Sequence, residues 1–387
     1  MKKKIAILGS TGSIGKSLID IIKNDKKNFE ITLLSTNKNY KVLIKQAKEF
    51  KVKNLIIKDK KSFDKFKKLK FSKKINSYYN FDNFKKFFKK KNDFIMSSIT
   101  GLDGLEPTVK SIKFTKNILI KNKEALICGW DLIKKELKKN KTNFIPIDSE
   151  HFSIWSLLQN QKSTNIEKLY ITASGGPFLK LPKNKFSKIK IKDALKHPNW
   201  TMGKKITIDS STLMNKVFEV IEAKNIFDLR YNKISILTHP NSYIHAIIKF
   251  DNGLSKILIH EPNMKIPIFN SIYLEKKKYL KKKSFNLKIM NNLSLDVVDW
   301  KKFPLIKLLK KLPQLSSLYE TILVTINDKL VYKFLNNQIS FKELIRQIEK
   351  FSNLKEFQKY KKIKPKSIRE IYSLMNYVSL KMDSISI

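Results

Sequence analysis

Short apolar runs alternate with longer amphipathic segments over the first 150 residues of the chain. The runs have the length of buried strands, and the segments between them repeat an apolar residue every three or four positions, as helices do. The pattern predicts strands at 4–8, 29–35, 53–57, 93–97, 117–120 and 143–147. It predicts a helix that carries Leu18, Ile21 and Ile22, and further helices near 41–50, 61–70, 80–91, 103–114 and 124–139. Such alternation is typical of an α/β fold with a doubly wound, mainly parallel sheet.

The pattern changes after residue 150. A strand at 168–173 is followed by a helix that we expect to begin at Ser210 or Ser211 and to run to about Lys224. Strand-like runs follow at 234–237, 243–250 and 254–260, and the Asp-Asn-Gly turn at 251–253 predicts that the last two form an antiparallel hairpin. Helical periodicity at 302–311, 316–336, 340–350 and 366–381 predicts a small bundle without chemistry of its own.

The predicted organisation therefore has three domains. They are a Rossmann-like domain at 1–147, a central α+β catalytic domain at 148–273 and a helical domain at 299–387, with a lysine-rich connection at 274–298.

Charge adds one question to this picture, because 80 Lys and Arg against 33 Asp and Glu leave a net charge of +47. A nucleic-acid-binding or membrane-surface protein is the obvious reading. However, the arginines are limited to Arg230, Arg346 and Arg369, and base recognition favours arginine. The lysines are spread over helix faces, which indicates solvated surfaces and compositional drift. We expect neither nucleic acid nor a membrane as a partner. The single cysteine, Cys128, and the lack of a signal-like apolar run predict a cytoplasmic location.

A glycine-rich turn follows the first predicted strand, with glycines at positions 9, 12 and 15. Strand, glycine turn and helix in this order let the backbone approach a pyrophosphate at the helix N-terminus. An NAD site would carry an acidic residue after the second strand, whereas this chain has Thr36-Asn37-Lys38-Asn39. A neutral and basic turn suits a 2′-phosphate, so the sequence favours NADP. The turns at 97–101 and 122–124 also follow strands, and we expect them in the same crevice.

Acidic residues then indicate a metal site. Along a strand, Asp148 and Glu150 would point to the same side, although a solvated acidic turn is the alternative. Glu219 offers a third carboxylate, and an all-oxygen site selects Mg²⁺ or Mn²⁺. Asn215 and Lys216 lie on the same predicted helix, where with Ser210 they could bind a phosphate.

Two loops of the middle segment have both a functional and a structural interpretation. The Ser-Gly-Gly turn at 174–176 is either an anion-binding nest or a plain tight turn. The loop at 197–203, which carries Trp200, either closes over a ligand or is anchored to the core by its tryptophan. His239 and His245 are expected to be structural, because oxygen ligands already account for the metal.

The order of these motifs resembles the 1-deoxy-D-xylulose 5-phosphate reductoisomerase family. The motifs are GSTGSIG at 9–15, NKEAL at 122–126, IDSEH at 147–151, SGGPF at 174–178, HPNWTMG at 197–203 and DSSTLMNK..E..EA at 209–223. The resemblance covers residues 1 to about 270 and extends more loosely through the helical C-terminus. It implies a homodimeric enzyme that uses NADPH and Mn²⁺ or Mg²⁺. Such an enzyme rearranges and reduces 1-deoxy-D-xylulose 5-phosphate to 2-C-methyl-D-erythritol 4-phosphate in the non-mevalonate isoprenoid pathway.

The resemblance also implies roles for individual residues. The metal carboxylates are Asp148, Glu150 and Glu219. The substrate phosphate is bound by Ser174, Ser210, Asn215 and Lys216, with His197 beside them and counted among the catalytic residues. Other substrate contacts are Ser149 and Lys123, the latter also catalytic, and the flexible flap carries Trp200 and Met202. The positions that contact NADPH are Thr11, Gly12, Ser13, Ile14, Asn37, Lys38, Asn39, Asn122, Glu124 and Gly203.

Three departures separate this chain from the usual family pattern. Val217 stands where a small residue is usual, the segment 260–264 reads His-Glu-Pro-Asn-Met in place of Gly-x-Pro-Asp-Met, and 324–328 reads Val-Thr-Ile-Asn-Asp in place of Asn-Ala-Ala-Asn-Glu. The alternatives are a basic nucleic-acid-binding protein or another NADP-dependent dehydrogenase of a phosphorylated substrate. The aspartate-semialdehyde type of dehydrogenase would need Cys128 as its nucleophile, and the sequence shows no evident base beside it.

Overall fold

The computed structural model describes residues 1–274, 278–280 and 286–385, and the predicted connection at 274–298 lies partly outside them. The chain divides into two compact units. The first unit contains residues 1–125, 132–148 and 264–281, and the second contains 126–131, 149–263 and 282–387.

Twelve strands are found in the described residues. They are β1 (Lys3–Leu8), β2 (Phe29–Thr36), β3 (Asn54–Ile57), β4 (Asn76–Tyr78), β5 (Asn92–Ser97), β6 (Thr115–Ile120), β7 (Asn143–Pro146), β8 (Ile166–Ala173), β9 (Ile234–Thr238), β10 (Ile244–Phe250), β11 (Ser255–Ile259) and β12 (Asp296–Val297). The α-helices of the first half are α1 (Ser13–Lys23), α2 (Tyr40–Phe50), α3 (Lys60–Lys67), α4 (Phe84–Phe87), α5 (Leu105–Ser111), α6 (Lys123–Cys128), α7 (Trp130–Asn140), α8 (Ser149–Leu157) and α9 (Ile191–Ala194). Those of the second half are α10 (Lys204–Ser211), α11 (Met214–Phe227), α12 (Lys265–Ile272), α13 (Leu287–Met290), α14 (Tyr319–Leu335), α15 (Phe341–Ser352), α16 (Lys355–Gln358) and α17 (Ile368–Ile385).

The first unit is built on a seven-stranded sheet in the order β4-β3-β2-β1-β5-β6-β7. Every pair of neighbours is parallel, which confirms the predicted α/β fold. The order reverses between β1 and β5, and ligands of such sheets bind at this switch point. Gly9 lies there with φ of +85°, and a Cβ on it would come within 2.8 Å of the Ser98 carbonyl oxygen. The glycine turn and the turn after β5 are therefore adjacent, as predicted.

One helix of this unit is much shorter than predicted. Periodicity predicts a helix near 80–91, but α4 has four residues and the unpredicted strand β4 precedes it. The Asn80 side chain accepts hydrogen bonds from the Asp82 backbone and the Asn83 side chain, and such local bonds compete with a helix. The phenylalanines that produced the periodicity are instead buried in an aromatic cluster against the sheet. Burial of these rings, and not helix formation, explains the spacing.

The acidic stretch also differs from the prediction. The strand ends at Pro146 and α8 begins at Ser149, so Asp148 and Glu150 do not alternate along one strand. Glu150 lies in the first turn of α8, where the helix dipole favours negative charge.

The second unit contains a five-stranded sheet in the order β11-β10-β8-β9-β12. β10 and β11 pair antiparallel, which confirms the predicted hairpin. Their register shifts between Ile244 and Ala246, so His245 lies at a bulge. The predicted helix at 302–311 is a 3₁₀-helix over Pro304–Lys311, whose three-residue turn places buried Leu305 and Leu308 on one face.

The predicted helix from Ser210 or Ser211 to Lys224 is two helices. α10 ends at Ser211, Leu213 adopts a left-handed conformation with φ of +60°, and α11 begins at Met214. Ser210 and Ser211 therefore end one helix and do not cap the next one, so this prediction is wrong. The Thr212 hydroxyl accepts the Met214 N–H and satisfies the start of α11 instead.

The C-terminal part of the second unit is helical, as predicted, and α14 packs against both α15 and α17. Among the helices in the described part of the chain, none is long and apolar enough to cross a membrane.

Candidate active site

The glycine turn of the first unit presents the N-terminus of α1. Ser10 anchors the turn, because its hydroxyl donates to Gln46 Oε1 (2.8 Å) and its N–H donates to the Ser35 carbonyl (2.9 Å). The Thr11 hydroxyl is 2.7 Å from the Thr36 hydroxyl, which links the turn to the end of β2. Gly12, Ser13 and Ile14 follow with their backbone at the start of the helix. The arrangement suits a pyrophosphate.

The predicted 2′-phosphate turn lies at the end of the same strand. Asn37, Lys38 and Asn39 are exposed. The Asn39 side chain accepts the Val42 N–H (3.3 Å) and caps α2, so it has a structural task as well. Lys38 is the positively charged residue of this turn, and its exposed side chain is accessible to an anionic ligand.

Asn122 and Lys123 have well-defined partners in the first unit. The Asn122 amide donates to the Gly101 carbonyl (2.8 Å), and its side-chain oxygen accepts the Ala125 N–H (2.5 Å). Lys123 Nζ donates to Asp148 Oδ2 (2.9 Å), and Lys121 Nζ lies at the same distance from that oxygen. Asp148 is buried, and two ammonium groups compensate its charge. Glu124 is buried beside them.

The second unit contains a buried cluster of carboxylates around a lysine. One carboxylate oxygen of Glu150 lies within 4.8 Å of one of Glu219. Lys216 Nζ donates to Glu150 Oε1 and to Glu219 Oε2, the latter at 2.5 Å. Burial works against the Lys216 ammonium, but the two carboxylates outweigh it and raise its pKa. The internal ammonium shows that these carboxylates are arranged to hold positive charge.

Two further predicted residues complete this cluster. The Asn215 amide donates to Glu219 Oε1 (2.5 Å), and the Ser149 hydroxyl donates to Glu150 Oε2 (2.6 Å). α8 therefore supplies Ser149 and Glu150 from its first turn, and α11 supplies the rest.

Two residues near the cluster were not assigned from the sequence. His151 Nε2 is 2.9 Å from the Glu219 carbonyl oxygen, and its Nδ1 lies 3.9 Å from Glu222 Oε2. All three residues are almost fully buried. His151 thus fastens α8 to α11 behind the carboxylates. The acidic residues at positions 219 and 222 of one helix are the signal that could have pointed to Glu222.

Ser174 and His197 form a second group in this unit. His197 Nδ1 accepts the N–H groups of Asn199 (3.1 Å) and Trp200 (3.0 Å), so Nε2 carries the hydrogen that is donated to Ser174 Oγ (3.0 Å). Gly176 N–H also donates to Ser174 Oγ (3.1 Å), which leaves the hydroxyl hydrogen available for an anion. Burial, with the charge of Lys216, lowers the pKa of His197 to about 4. His197 is therefore neutral near pH 7.

The Ser-Gly-Gly turn lies against the end of α10. Gly176 has φ of +63°, and a Cβ on it would come within 2.9 Å of the Ser210 carbonyl oxygen. Ser210 is buried at this contact. The structure thus brings the Ser174–His197 pair and the Ser210 backbone close together, and the charge of Lys216 acts on His197.

The 197–203 loop lies between α9 and α10. The Trp200 ring is 6.1 Å from the ring of His245, in an edge-on arrangement. Met202 is half-buried, and exposed Gly203 precedes the first residue of α10.

A parallel sheet with a glycine turn at its switch point, in one chain with a buried carboxylate–lysine cluster, defines a nucleotide-dependent oxidoreductase of the α/β class. Sequence profiles of 1-deoxy-D-xylulose 5-phosphate reductoisomerase match residues 5–129, and profiles of its C-terminal domains match 144–227 and 259–378. The 1-deoxy-D-xylulose 5-phosphate reductoisomerase of Pelagibacter ubique (strain HTCC1062) is 59% identical to this chain over 387 residues, and the alignment covers 100% of each chain. The chain therefore belongs to the 1-deoxy-D-xylulose 5-phosphate reductoisomerase family, as predicted.

Solved structures of the same family have the same fold. The reductoisomerase of Zymomonas mobilis in complex with NADPH superposes with a TM-score of 0.88 at 26% identity, covering 100% of this chain and 99% of the other. A reductoisomerase in complex with NADPH, fosmidomycin and magnesium superposes with a TM-score of 0.90 at 28% identity, covering 97% and 96%. These similarities do not favour the nucleic-acid-binding and semialdehyde-dehydrogenase alternatives.

Proposed function

We propose that this chain uses NADPH and a divalent metal to rearrange and reduce 1-deoxy-D-xylulose 5-phosphate to 2-C-methyl-D-erythritol 4-phosphate. The observation that carries the proposal is the buried Lys216 ammonium held between Glu150 and Glu219. Family membership supports the reaction, and the solved relatives in complex with NADPH and magnesium support the cofactors.

Asp148, Glu150 and Glu219 would hold the metal. The donor set fits such a metal, because all three ligands are hard carboxylate oxygens. Glu150 and Glu219 already hold one cation, the Lys216 ammonium. Either Mg²⁺ or Mn²⁺ suits such ligands. The bound metal would supply Lewis-acid polarisation of a substrate carbonyl.

The chain's own residues bind and orient the substrate. Ser174 has a hydroxyl hydrogen to donate. Ser210 ends α10, and Asn215 and Lys216 lie in the first turn of α11 in the same unit. Neutral His197 keeps the Ser174 hydroxyl oriented towards an anion. We assign the substrate phosphate to these residues, and further substrate contacts to Ser149 and Lys123. Trp200 and Met202 would close the 197–203 loop and exclude water.

The cofactor would lie along the carboxyl edge of the parallel sheet. The proposed contacts are Thr11, Gly12, Ser13, Ile14, Asn37, Lys38, Asn39, Asn122, Glu124 and Gly203. The exposed Lys38 favours NADPH through its 2′-phosphate.

The proposal also includes the oligomeric state, the cellular location and the domain division. We expect a homodimer, as the family resemblance implies, and a cytoplasmic location, which rests on the sequence. We also keep the domain division at 1–147, 148–273 and 299–387, with the connection at 274–298 between the last two.

The proposal is tested by following NADPH oxidation. Turnover should require both 1-deoxy-D-xylulose 5-phosphate and Mg²⁺ or Mn²⁺, and a chelator should abolish it. Glu219→Gln should keep NADPH binding but lose metal-supported turnover. Glu167→Gln is the control, because Glu167 belongs to an exposed ion pair with Lys249 in the same unit. Turnover without metal, or with NADH alone, would refute the mechanism.

A further inference from the structure

Two stacked histidine rings and an edge-on tryptophan lie together in the second unit, within the electrostatic influence of Glu150. The His245 and His260 rings are 3.8 Å apart at the centroids and 22° from parallel. Trp200 of the 197–203 loop meets His245 edge-on at 6.1 Å. His260 occupies the position at which the usual family motif has glycine. A chain with the usual motif would therefore have no ring at this position to stack on His245.

His260 is held firmly in place by β10 and by its own neighbour. Its N–H donates to the Tyr243 carbonyl (3.0 Å), and its carbonyl lies 3.2 Å from His245 Nε2. Its Nδ1 lies 2.6 Å from the Glu261 carbonyl, which requires a hydrogen on Nδ1. Backbone and ring are thus both fixed, and the ring cannot turn away from His245 without losing a bond.

His245 is held equally closely. The bulge in β10 aims its side chain, because a bulge changes the direction of the residues at it. The contact with the His260 carbonyl places the hydrogen on Nε2. Burial, together with His260, lowers the pKa of His245 to about 3, and burial also lowers the pKa of His260. Burial thus disfavours the charged form of both rings, and uncharged imidazoles stack without charge repulsion.

We propose that His260 is a positioning residue whose ring, stacked on His245, fixes that imidazole against Trp200 and so sets how the 197–203 loop closes on the substrate. The inference rests on the proposed function for the identity of the substrate. The ring contacts themselves involve only residues of this chain.

The test compares four variants of the full-length protein. His260→Gly removes the ring, His260→Gln removes the ring but fills part of its volume, and His260→Phe keeps a ring that can stack. His239→Phe is the control, because His239 is also buried but bonds to the Ser294 carbonyl outside the stack. Thermal unfolding of each variant identifies those that fold, and His260→Gln replaces His260→Gly if the latter does not.

The first measurement is the KM for 1-deoxy-D-xylulose 5-phosphate. We expect His260→Gly and His260→Gln to raise it about fivefold, which is about 1 kcal/mol and typical of one aromatic pair, with kcat changed less than about twofold. His260→Phe and His239→Phe should stay within about twofold of the wild type. A purely structural role would instead lower the amount of folded enzyme and leave KM unchanged.

The second measurement needs no substrate. The chain has 5 histidines, so isotope-labelled histidine gives few NMR signals, and His245 can be titrated directly. Its pKa is influenced by burial, His260, Glu150 and Lys216. Loss of the His260 ring should expose His245 to solvent and so weaken the burial that disfavours its charged form, whereas the phenylalanine ring would keep it covered. The pKa should rise towards the ordinary value of about 6.5 in His260→Gly and stay low in His260→Phe.

Several results would overturn the inference. They are an unchanged KM in both ring-removing variants, an unchanged His245 titration in them, or a folded His260→Phe that behaves like His260→Gly. If the wild type does not oxidise NADPH with this substrate, the proposed function fails, and the titration alone then decides whether His260 positions His245.

Discussion

Replacing Glu320 by glutamine should remove a pH-dependent loss of stability from the second unit. Glu320 lies in α14 with an exposed fraction of 1%. Its Oε2 accepts the Ser317 N–H (3.1 Å) and hydroxyl (2.5 Å), whereas its Oε1 has no hydrogen-bond partner among the described residues. Burial raises the pKa of Glu320 from 4.5 to about 7, although Ser317 and the Lys224 ammonium act in the opposite direction.

The size and sign of the effect follow from linkage. Below about pH 4.5 the carboxyl is protonated in both the folded and the unfolded chain, and its penalty is absent. Between 4.5 and about 7 only the unfolded chain releases the proton, so stability falls as pH rises, and above 7 the loss is complete. At about 1.4 kcal/mol for each pH unit, the loss approaches about 3 kcal/mol. Glutamine imitates the protonated acid, and the pKa of about 7 already includes the attraction of Lys224, so the gain at pH 8 should approach the same size.

Urea unfolding at a series of pH values measures this directly. The free energy of unfolding of Glu320→Gln, relative to the wild type, should increase between pH 4.5 and 7 and then stay constant. Glu343→Gln is the control, because Glu343 is partly exposed and its hydrogen bonds with Gln347 and Arg346 lower its pKa. A pH-independent difference between Glu320→Gln and the wild type would refute the reasoning.

Two further predictions concern binding. Asn327→Ala removes the hydrogen bond from the Asn327 side-chain amide to Asp209 Oδ1 (2.8 Å), and Asp209 directly precedes Ser210 in the chain. We therefore expect urea unfolding to show a loss of about 1–3 kcal/mol in stability, and the KM for the substrate to rise. An unchanged KM would show that Asn327 does not position Ser210. Lys38→Glu should weaken NADPH binding by about tenfold or more in a fluorescence titration and leave NADH binding nearly unaffected. Stability should not change, because the Lys38 side chain is exposed. An equal loss of affinity for both cofactors would contradict the assignment of Lys38 to the 2′-phosphate.

The sequence predicts the parallel sheet and the hairpin because each depends on a local signal. Alternation of apolar runs with amphipathic segments identifies the sheet, and the Asp-Asn-Gly turn identifies the hairpin. The division between α10 and α11 has no such signal, because Leu213 is an apolar residue in a left-handed conformation. A serine before an apolar run can begin a helix, but here Ser210 and Ser211 end one.

The carboxylate cluster could be predicted in its residues but not in its contacts. Asp148, Glu150 and Glu219 are conspicuous acidic residues, whereas the Lys216 ammonium between Glu150 and Glu219 depends on how α8 meets α11. The same applies to His151, whose role follows from one bond to the Glu219 backbone. The sequence predicts no chemistry for the C-terminal helices. However, Asn327 of α14 donates a hydrogen bond to Asp209, the residue before Ser210.

The Lys216 ammonium has a consequence for the order in which ligands bind. This ammonium bonds to both Glu150 and Glu219, so a metal ion that binds these carboxylates would compete with an internal counter-ion. A phosphate that attracts Lys216 relieves this competition. Metal and substrate would then strengthen each other's binding by the same factor, since coupling between two ligands is reciprocal. One lysine would thereby couple the binding of metal and phosphate within a single chain.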